Sequence, residues 1–321
     1  MNPARPIPIV AGPTAVGKTA TSIALAKSLD AEIISADSRQ IYREFSIGTA
    51  SPTAAQLSVV RHHFVHEIPI GTAYSAGVFA GDVGSVAKDI LERGKNIVVT
   101  GGSTLYIHAL LHGLSDIPKV EPHVRAELNR RLEVEGPVQM YDELLLVDPV
   151  FAQTLDPTKS QRIIRGLEVF IGTGKPISSF HGSPPLQDHS FQLFVLHRER
   201  KQLYQRIDDR VDQMISEGLV DELKRILATS PNLADNAFRT IGYQELIPHL
   251  LGKTSLDEAV SLIKRNSRRY AKRQLTWFKR YPGAIWIDVD TEEAVNVVLS
   301  TLDGELTDSR KSPPAGLPFR I

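Results

Sequence analysis

Cysteine is absent from this 321-residue chain. That excludes disulfide scaffolds, thiolate zinc sites and cysteine nucleophiles, and it suits a reducing compartment. Long apolar runs are missing too. None approaches the ~18 residues that a membrane helix needs, so no membrane partner is expected. The first nine residues hold one arginine and three prolines but no extended apolar stretch. That is not the pattern of a secretory leader, and a cytoplasmic location is expected. An excess of one charge is also lacking, with 37 basic against 37 acidic residues. A uniformly basic nucleic-acid binder is excluded; a local basic patch is not. What is present is ordinary globular material, 42% hydrophobic and 23% charged, long enough for a sizeable core and about two domains.

The first hundred residues alternate short apolar runs with helical stretches, the pattern of a parallel α/β sheet. Strands are predicted at Ile7–Ala11, Glu32–Ser35, Asn96–Thr100 and Phe191–Leu196, with Ile285–Val289 closing the sheet. A helix is predicted over residues 18–29, with Ile23, Leu25, Ala26 and Leu29 roughly on one face. From 114 to 188 the rhythm changes to helices bounded by Pro/Gly/Ser turns, which reads as a helical insertion. The expected organisation is a catalytic core from 1–113 and 189–302, that insertion, and a disordered tail at 303–321. A second helical block runs from Arg200 to Lys279. Its end, 264–280, holds eight Lys/Arg and no acid, a candidate footprint for phosphates. A charge run of this kind is also the ordinary makeup of a solvated helix face.

Gly12-Pro-Thr-Ala-Val-Gly-Lys18-Thr19 fits G-x-x-x-x-G-K-[ST] between a strand and a helix. Glycines let backbone N–H groups turn toward an anion, and the helix N-terminus adds partial positive charge. Lys18 supplies a point charge and the Thr19 hydroxyl suits Mg²⁺. A chance match in a chain this long is about 1%. After the second strand comes Ala36-Asp37-Ser38-Arg39-Gln40, at the end of the sheet where ligands bind. Asp37 there serves a water-bridged metal, a general base, or merely a helix cap. The strand ending at Thr100 runs into Gly-Gly-Ser-Thr, without the metal-binding aspartate a nucleotide kinase would offer. His62, His63 and His66 are close in sequence, but no carboxylate completes a zinc set.

A longer series of motifs runs in order from Ile9 to about Pro282. It includes GPTAVGKT (12–19), ADSRQIYR (36–43), IGTA (47–50), HHF (62–64), YSAG (74–77) and GGSTLY (101–106). It continues with QRIIRGLEVF (161–170), TGKPIS (173–178), RIDDRVDQMISEGLVDEL (206–223), IGYQEL (241–246) and RRYAKRQLTWFKR (268–280). The series resembles the bacterial tRNA dimethylallyltransferases (tRNA isopentenyltransferases). Three positions depart from the family pattern: Arg61 for Pro, His66 for the Asp of HHxxD, and Ser51 for a Lys that would face tRNA.

The resemblance implies a phosphate-loop α/β core with helical additions. It implies transfer of a dimethylallyl group from its diphosphate to N6 of an adenosine next to the anticodon. Gly12, Pro13, Thr14, Ala15, Val16, Gly17, Lys18 and Thr19 would bind the donor, with Mg²⁺ on Thr19. Asp37, Ser103, Arg210 and Lys18 form the implied catalytic set, Asp37 as base. Contact with tRNA is implied at Asp37, Ser38, Arg39, Gln40, Ser103, Arg125, Gln161, Arg162, Ile163, Ile164 and Arg165. It is implied again at Arg239, Gly242, Tyr243, Gln244, Lys272, Arg273, Gln274, Trp277 and Lys279. The expected protein is a Mg²⁺-dependent monomer with tRNA and dimethylallyl diphosphate as partners. Read without the family, Arg210 is equally a salt-bridge partner of Asp208, Asp209 or Asp212, and Trp277 equally a packing residue. The alternatives are an adenylate isopentenyltransferase acting on free nucleotides, a phosphate-loop kinase, and a non-catalytic RNA-binding module.

Overall fold

The computed structural model describes residues 5–304, apart from 115–116, 119, 181–183, 187–188, 230–231 and 233–235. The tail expected to be disordered lies outside the described residues from 305 onward; Asp303 caps the last helix. The chain divides into two compact units, Met1–Leu111 with Pro185–Ile321, and His112–Pro184.

The first unit is built on a six-stranded sheet of β1 (Ile7–Ala11), β2 (Ala31–Ser35), β3 (His62–His63), β4 (Asn96–Gly101), β5 (Phe191–His197) and β6 (Ile285–Asp288). The order is β3-β2-β4-β1-β5-β6 and every pairing is parallel. β1, β2 and β5 are almost wholly buried, which is why they read as continuous apolar runs. Helices α1 (Lys18–Leu29), α2 (Ala54–Val59), α3 (Ala76–Glu92) and α4 (Thr104–His112) follow the early strands. The later helices α8 (Arg200–Ser216), α9 (Leu219–Thr229), α10 (Tyr243–Leu250), α11 (Leu256–Phe278) and α12 (Ala294–Leu302) complete the unit. Val10, Ile33, Val98 and Phe194 of the sheet pack with Leu25 of α1, Leu203 and Ile207 of α8, and Val298 of α12. Each such buried side chain contributes roughly 1.5–3 kcal/mol. The two-residue β3 escapes any periodicity argument because only its backbone pairing with Ile33 and Ile34 defines it.

The second unit holds α5 (Pro122–Val147), α6 (Pro149–Ala152) and α7 (Ser160–Thr173). The sequence predicts α5 only as far as Glu135. The helix resumes after a break at Gly136 (φ 77, ψ 167), where Pro137 cannot donate to the preceding turn. Met140 and Leu144 from the second half close over Leu128, Ile163, Ile164 and Leu167.

At the N-terminal end of β2, opposite the end that Asp37 follows, Glu32 is buried and fully partnered. Arg93 grips it bidentately and His63 Nε2 lies 2.7 Å from Oε2. The Arg93 hydrogen bonds, opposed by burial and aided by His63, hold its carboxyl at about 2 against an ordinary 4.5. A depressed carboxyl stabilises the fold above its unfolded value and loses that contribution as pH falls from 4.5 toward 2. Glu32→Gln should therefore flatten the acid limb of unfolding free energy by about 1–3 kcal/mol, read from urea melts at stepped pH. An acid limb unchanged by the substitution would show that Glu32 does not carry it.

Candidate active site

Between β1 and α1 the chain turns through Gly12, whose φ of 147 and whose neighbour, Leu196 O, leave no room for a side chain; a Cβ would sit 2.6 Å from that oxygen. Ala15 is held at φ 63, a conformation costly for a non-glycine residue. Outside groups hold the loop in this shape. Arg206 Nε donates to Ala15 O and Arg198 Nε to Val16 O, both at 3.0 Å. Gln274 Oε1 accepts from Thr14 N at 3.0 Å while its Nε2 donates to Gly102 O at 2.8 Å. With carbonyls engaged from outside, the loop keeps the form of an anion nest. Lys18 Nζ folds back on Pro13 O (2.8 Å) and Gly12 O (3.1 Å), and Arg210 Nη1 donates to Thr14 Oγ1 at 3.1 Å.

These groups open onto a crevice of about 970 Å³, lined by residues of the first unit. Thr14, Ala15, Gly17, Lys18, Thr19, Asp37, Ser38, Arg39 and Gln40 line it, as do Arg210, Arg239, Gln244, Arg273 and Gln274. Its charge is lopsided, with six Lys/Arg against two Asp. Burial pushes Lys18 down to about 8 and Arg210 to about 10; Asp37 opposes both shifts and Arg210 adds to that of Lys18. Asp37 Oδ1 accepts from Arg39 N (2.9 Å) and Gln40 N (3.3 Å), which aims the carboxyl from its own turn. Ser103 is buried behind this turn, accepting from Ser38 N at 2.8 Å. On α8 the acids and arginines part company. Asp208 binds Arg268 and Asp212 binds Lys264 on α11, leaving Arg210 for the loop.

Residues 40–281 match the family model described as IPP transferase. The chain belongs to the IPP transferase family. It is 47% identical to the tRNA dimethylallyltransferase of Salinibacter ruber over 302 residues, 93% of each chain. It is 45% identical to that of Chloroherpeton thalassium over 295 residues, 90% of this chain and 91% of the other. Among solved structures, the tRNA isopentenylpyrophosphate transferase of Bacillus halodurans matches with a TM-score of 0.68 at 36% identity, covering 94% of this chain and 98% of its own. A eukaryotic dimethylallyltransferase acting on tRNA matches with a TM-score of 0.79 at 26% identity, covering 96% of this chain and 82% of its own.

Some residues singled out in this IPP transferase from the sequence lie elsewhere than the crevice wall. Ile163 and Ile164 are 0% exposed in the core of the second unit, so their side chains offer RNA no surface. On the same helix Gln161 and Arg162 are exposed, and Glu168 holds both Arg125 and Arg165 at 2.9 Å. Tyr243 is 0% exposed beneath Phe45, so its side chain is no surface contact; Gln274 lines the crevice but is 2% exposed and committed to the loop. Lys272 is exposed, whereas Trp277 and Lys279 are half-buried, with Arg280 4.6 Å above the Trp277 ring. His62, His63 and His66 turn to Val60 O, Glu32 and Phe45 O respectively. Arg206 and Arg198 were missed as loop anchors. The four-residue spacing of Arg206 and Arg210 puts both on one face of α8 and is a usable signal. Nothing in the sequence marks Gln274 as an anchor.

Replacing Gln274 by Leu strands the Thr14 N–H and the Gly102 carbonyl, both in the interior of the site. The expected loss is about 1–3 kcal/mol of stability, against less than about 0.5 kcal/mol for Lys272→Ala on the exposed face. Chemical denaturation of the two variants side by side checks this; equal stabilities would remove Gln274 as an anchor.

Proposed function

We propose that this chain transfers a dimethylallyl group from dimethylallyl diphosphate to N6 of an adenosine beside the anticodon of tRNA, releasing diphosphate. The observation that carries the reading is the charge of the crevice: half-buried Lys18 of the phosphate loop and Arg210 of α8 outnumber the carboxylate that faces them, Asp37. A polyanion bearing a leaving group fits that excess, and the names of the relatives supply the reaction class.

An allylic C–O bond breaks readily when its diphosphate is neutralised as it departs. Lys18, Arg210 and the loop N–H groups act on those oxygens. The adenine N6 attacks the allylic carbon, and its proton passes to the Asp37 carboxylate, which the turn at Arg39 and Gln40 holds in place. The Thr19 hydroxyl lines the crevice and bonds to no protein group among the described residues. One hydroxyl, one nearby carboxylate and the donor phosphates are a donor set that suits Mg²⁺. Thr19 and Asp37 would hold it, and it would supply charge neutralisation on the leaving diphosphate. An exocyclic amine is a weak nucleophile, so placement of the flipped adenine supplies much of the rate. Arg39, Arg239 and Arg273 at the crevice, Lys272 on α11, and Arg125, Arg162 and Arg165 of the second unit are cations suited to RNA phosphates or splayed bases. A cytoplasmic monomer is the expected form.

The deciding assay offers purified protein and Mg²⁺ with unmodified tRNA and dimethylallyl diphosphate, with AMP and ATP in parallel, and reads products by mass spectrometry. One five-carbon unit on an adenosine next to the anticodon supports the reading. Prenylated AMP or ATP turnover without transfer overturns it. Asp37→Ala should lower kcat by ~10² or more with tRNA affinity little changed; a fully active variant would remove Asp37 as base.

Donor binding also carries a pH signature. Burial draws Lys18 down to about 8 in the free protein, and a bound diphosphate would hold its proton on. Above the donor's own phosphate ionisation at pH ~6, the donor KM should rise by up to about tenfold per unit as pH passes 8. Lys18→Arg should abolish that inflection in a titration of KM against pH, and an inflection that persists would belong to another group.

A further inference from the structure

We propose that Glu222 is a positioning residue for the acceptor side of the site, acting through the 46–50 loop on Gln40 and the Asp37 turn. The proposal rests on the prenyl-transfer reading for its kinetic consequence but not for its geometry. Glu222 lies on α9, is 5% exposed and is not part of the crevice wall. Its carboxylate accepts four hydrogen bonds. Oε2 takes Ser46 N at 3.2 Å and Ile47 N at 2.9 Å; Oε1 takes Gly48 N at 3.0 Å and the Tyr243 phenol at 2.6 Å. Three consecutive backbone N–H groups converging on one anion form the concavity usually offered to a bound phosphate or carboxylate. Here the protein fills it with its own side chain. Among the described residues no lysine or arginine forms an ion pair with Glu222, so the hydrogen bonds alone offset its burial.

What this clamp holds faces the chemistry. Gly48, Thr49 and Ala50 line the crevice. Gly48 is seated on Tyr243, since a Cβ there would lie 2.4 Å from the ring. Ala50 is kept at φ 46, a strained value that a free loop would relax. The Thr49 and Ala50 carbonyls accept from Gln40 Nε2 at 3.3 and 3.2 Å, and Gln40 N in turn donates to Asp37 Oδ1. Glu222 thus reaches Asp37 through the loop and one glutamine, while its bonds bypass the phosphate loop.

Glu222→Gln keeps the volume but turns an NH₂ toward groups that are themselves donors. Kcat per folded molecule should fall about 10–50-fold, with the donor KM within twofold of the native value. Tyr243→Phe removes one bond of the four and should lower kcat about 2–5-fold, which keeps the test available if the glutamine variant does not fold. A merely structural role predicts a smaller folded fraction with native kcat per folded molecule, or a loss shared between kcat and donor KM; either overturns the proposal. A readout independent of activity accompanies this. Amide exchange in the resting protein should quicken across residues 37–50 in either variant and stay unchanged across 12–19. Unchanged protection at 37–50 overturns the proposal even if the native protein transfers no prenyl group, an outcome that by itself sinks only the prenyl-transfer reading.

Discussion

Half-buried positive charge short of its counter-charge is the condition that the rest of this molecule serves. Lys18 and Arg210 are both driven toward deprotonation by burial, and Asp37 opposes that drive for each. In a site of low dielectric two such cations repel, and a fold tolerates them only if something strong fixes their supports. The supports are visible. Arg206 and Arg198 hold the carbonyls of Ala15 and Val16, Gln274 holds the Thr14 N–H, and Arg210 rests on the Thr14 hydroxyl. The strained φ of Ala15 persists because these contacts over-determine it. Charges and dipoles fixed in this way before an anion arrives need little reorganisation to stabilise it, which is electrostatic preorganisation.

The two ends of β2 show the same physics with opposite outcomes. At its start Glu32 has Arg93 and His63 within hydrogen-bond reach, and its charge is satisfied inside the protein. Past its far end Asp37 is held by two backbone N–H groups and faces an excess of cations across open space. The first arrangement stabilises a fold; the second leaves a carboxylate open to the crevice. A carboxylate's local partners, more than its residue type, separate a structural role from a chemical one.

The parallel sheet and its buried strands were legible because strands covered on both faces must be apolar throughout, as Ile7–Ala11 and Phe191–His197 are. The phosphate loop was legible because its chemistry demands particular residues at fixed spacing. Less visible was the second half of α5, since Gly136 and Pro137 end the helical pattern and the resumed helix shows its apolar face only against α7. Wholly invisible were the long-range anchors. Gln274 lies 260 residues from Thr14, and Glu222 lies 174 residues from Gly48. Such pairs have no periodicity and no composition, and only the folded chain brings them together. Spacing also misleads where one helix serves two purposes: residues 161–165 alternate surface Gln161, Arg162 and Arg165 with core Ile163 and Ile164.

α8 and α11 tie these observations into one constraint on how the site works. Asp208 and Asp212 lock α8 to α11 through Arg268 and Lys264. Arg206 and Arg210 of α8 and Gln274 of α11 then hold the phosphate loop from two directions. The same α11 carries Lys272 and Arg273, both exposed and, among the described residues, without a carboxylate ion pair; Arg273 lines the crevice. The exposed cations and the amide that shapes the phosphate loop thus lie on one helix, Arg273 and Gln274 in adjacent positions.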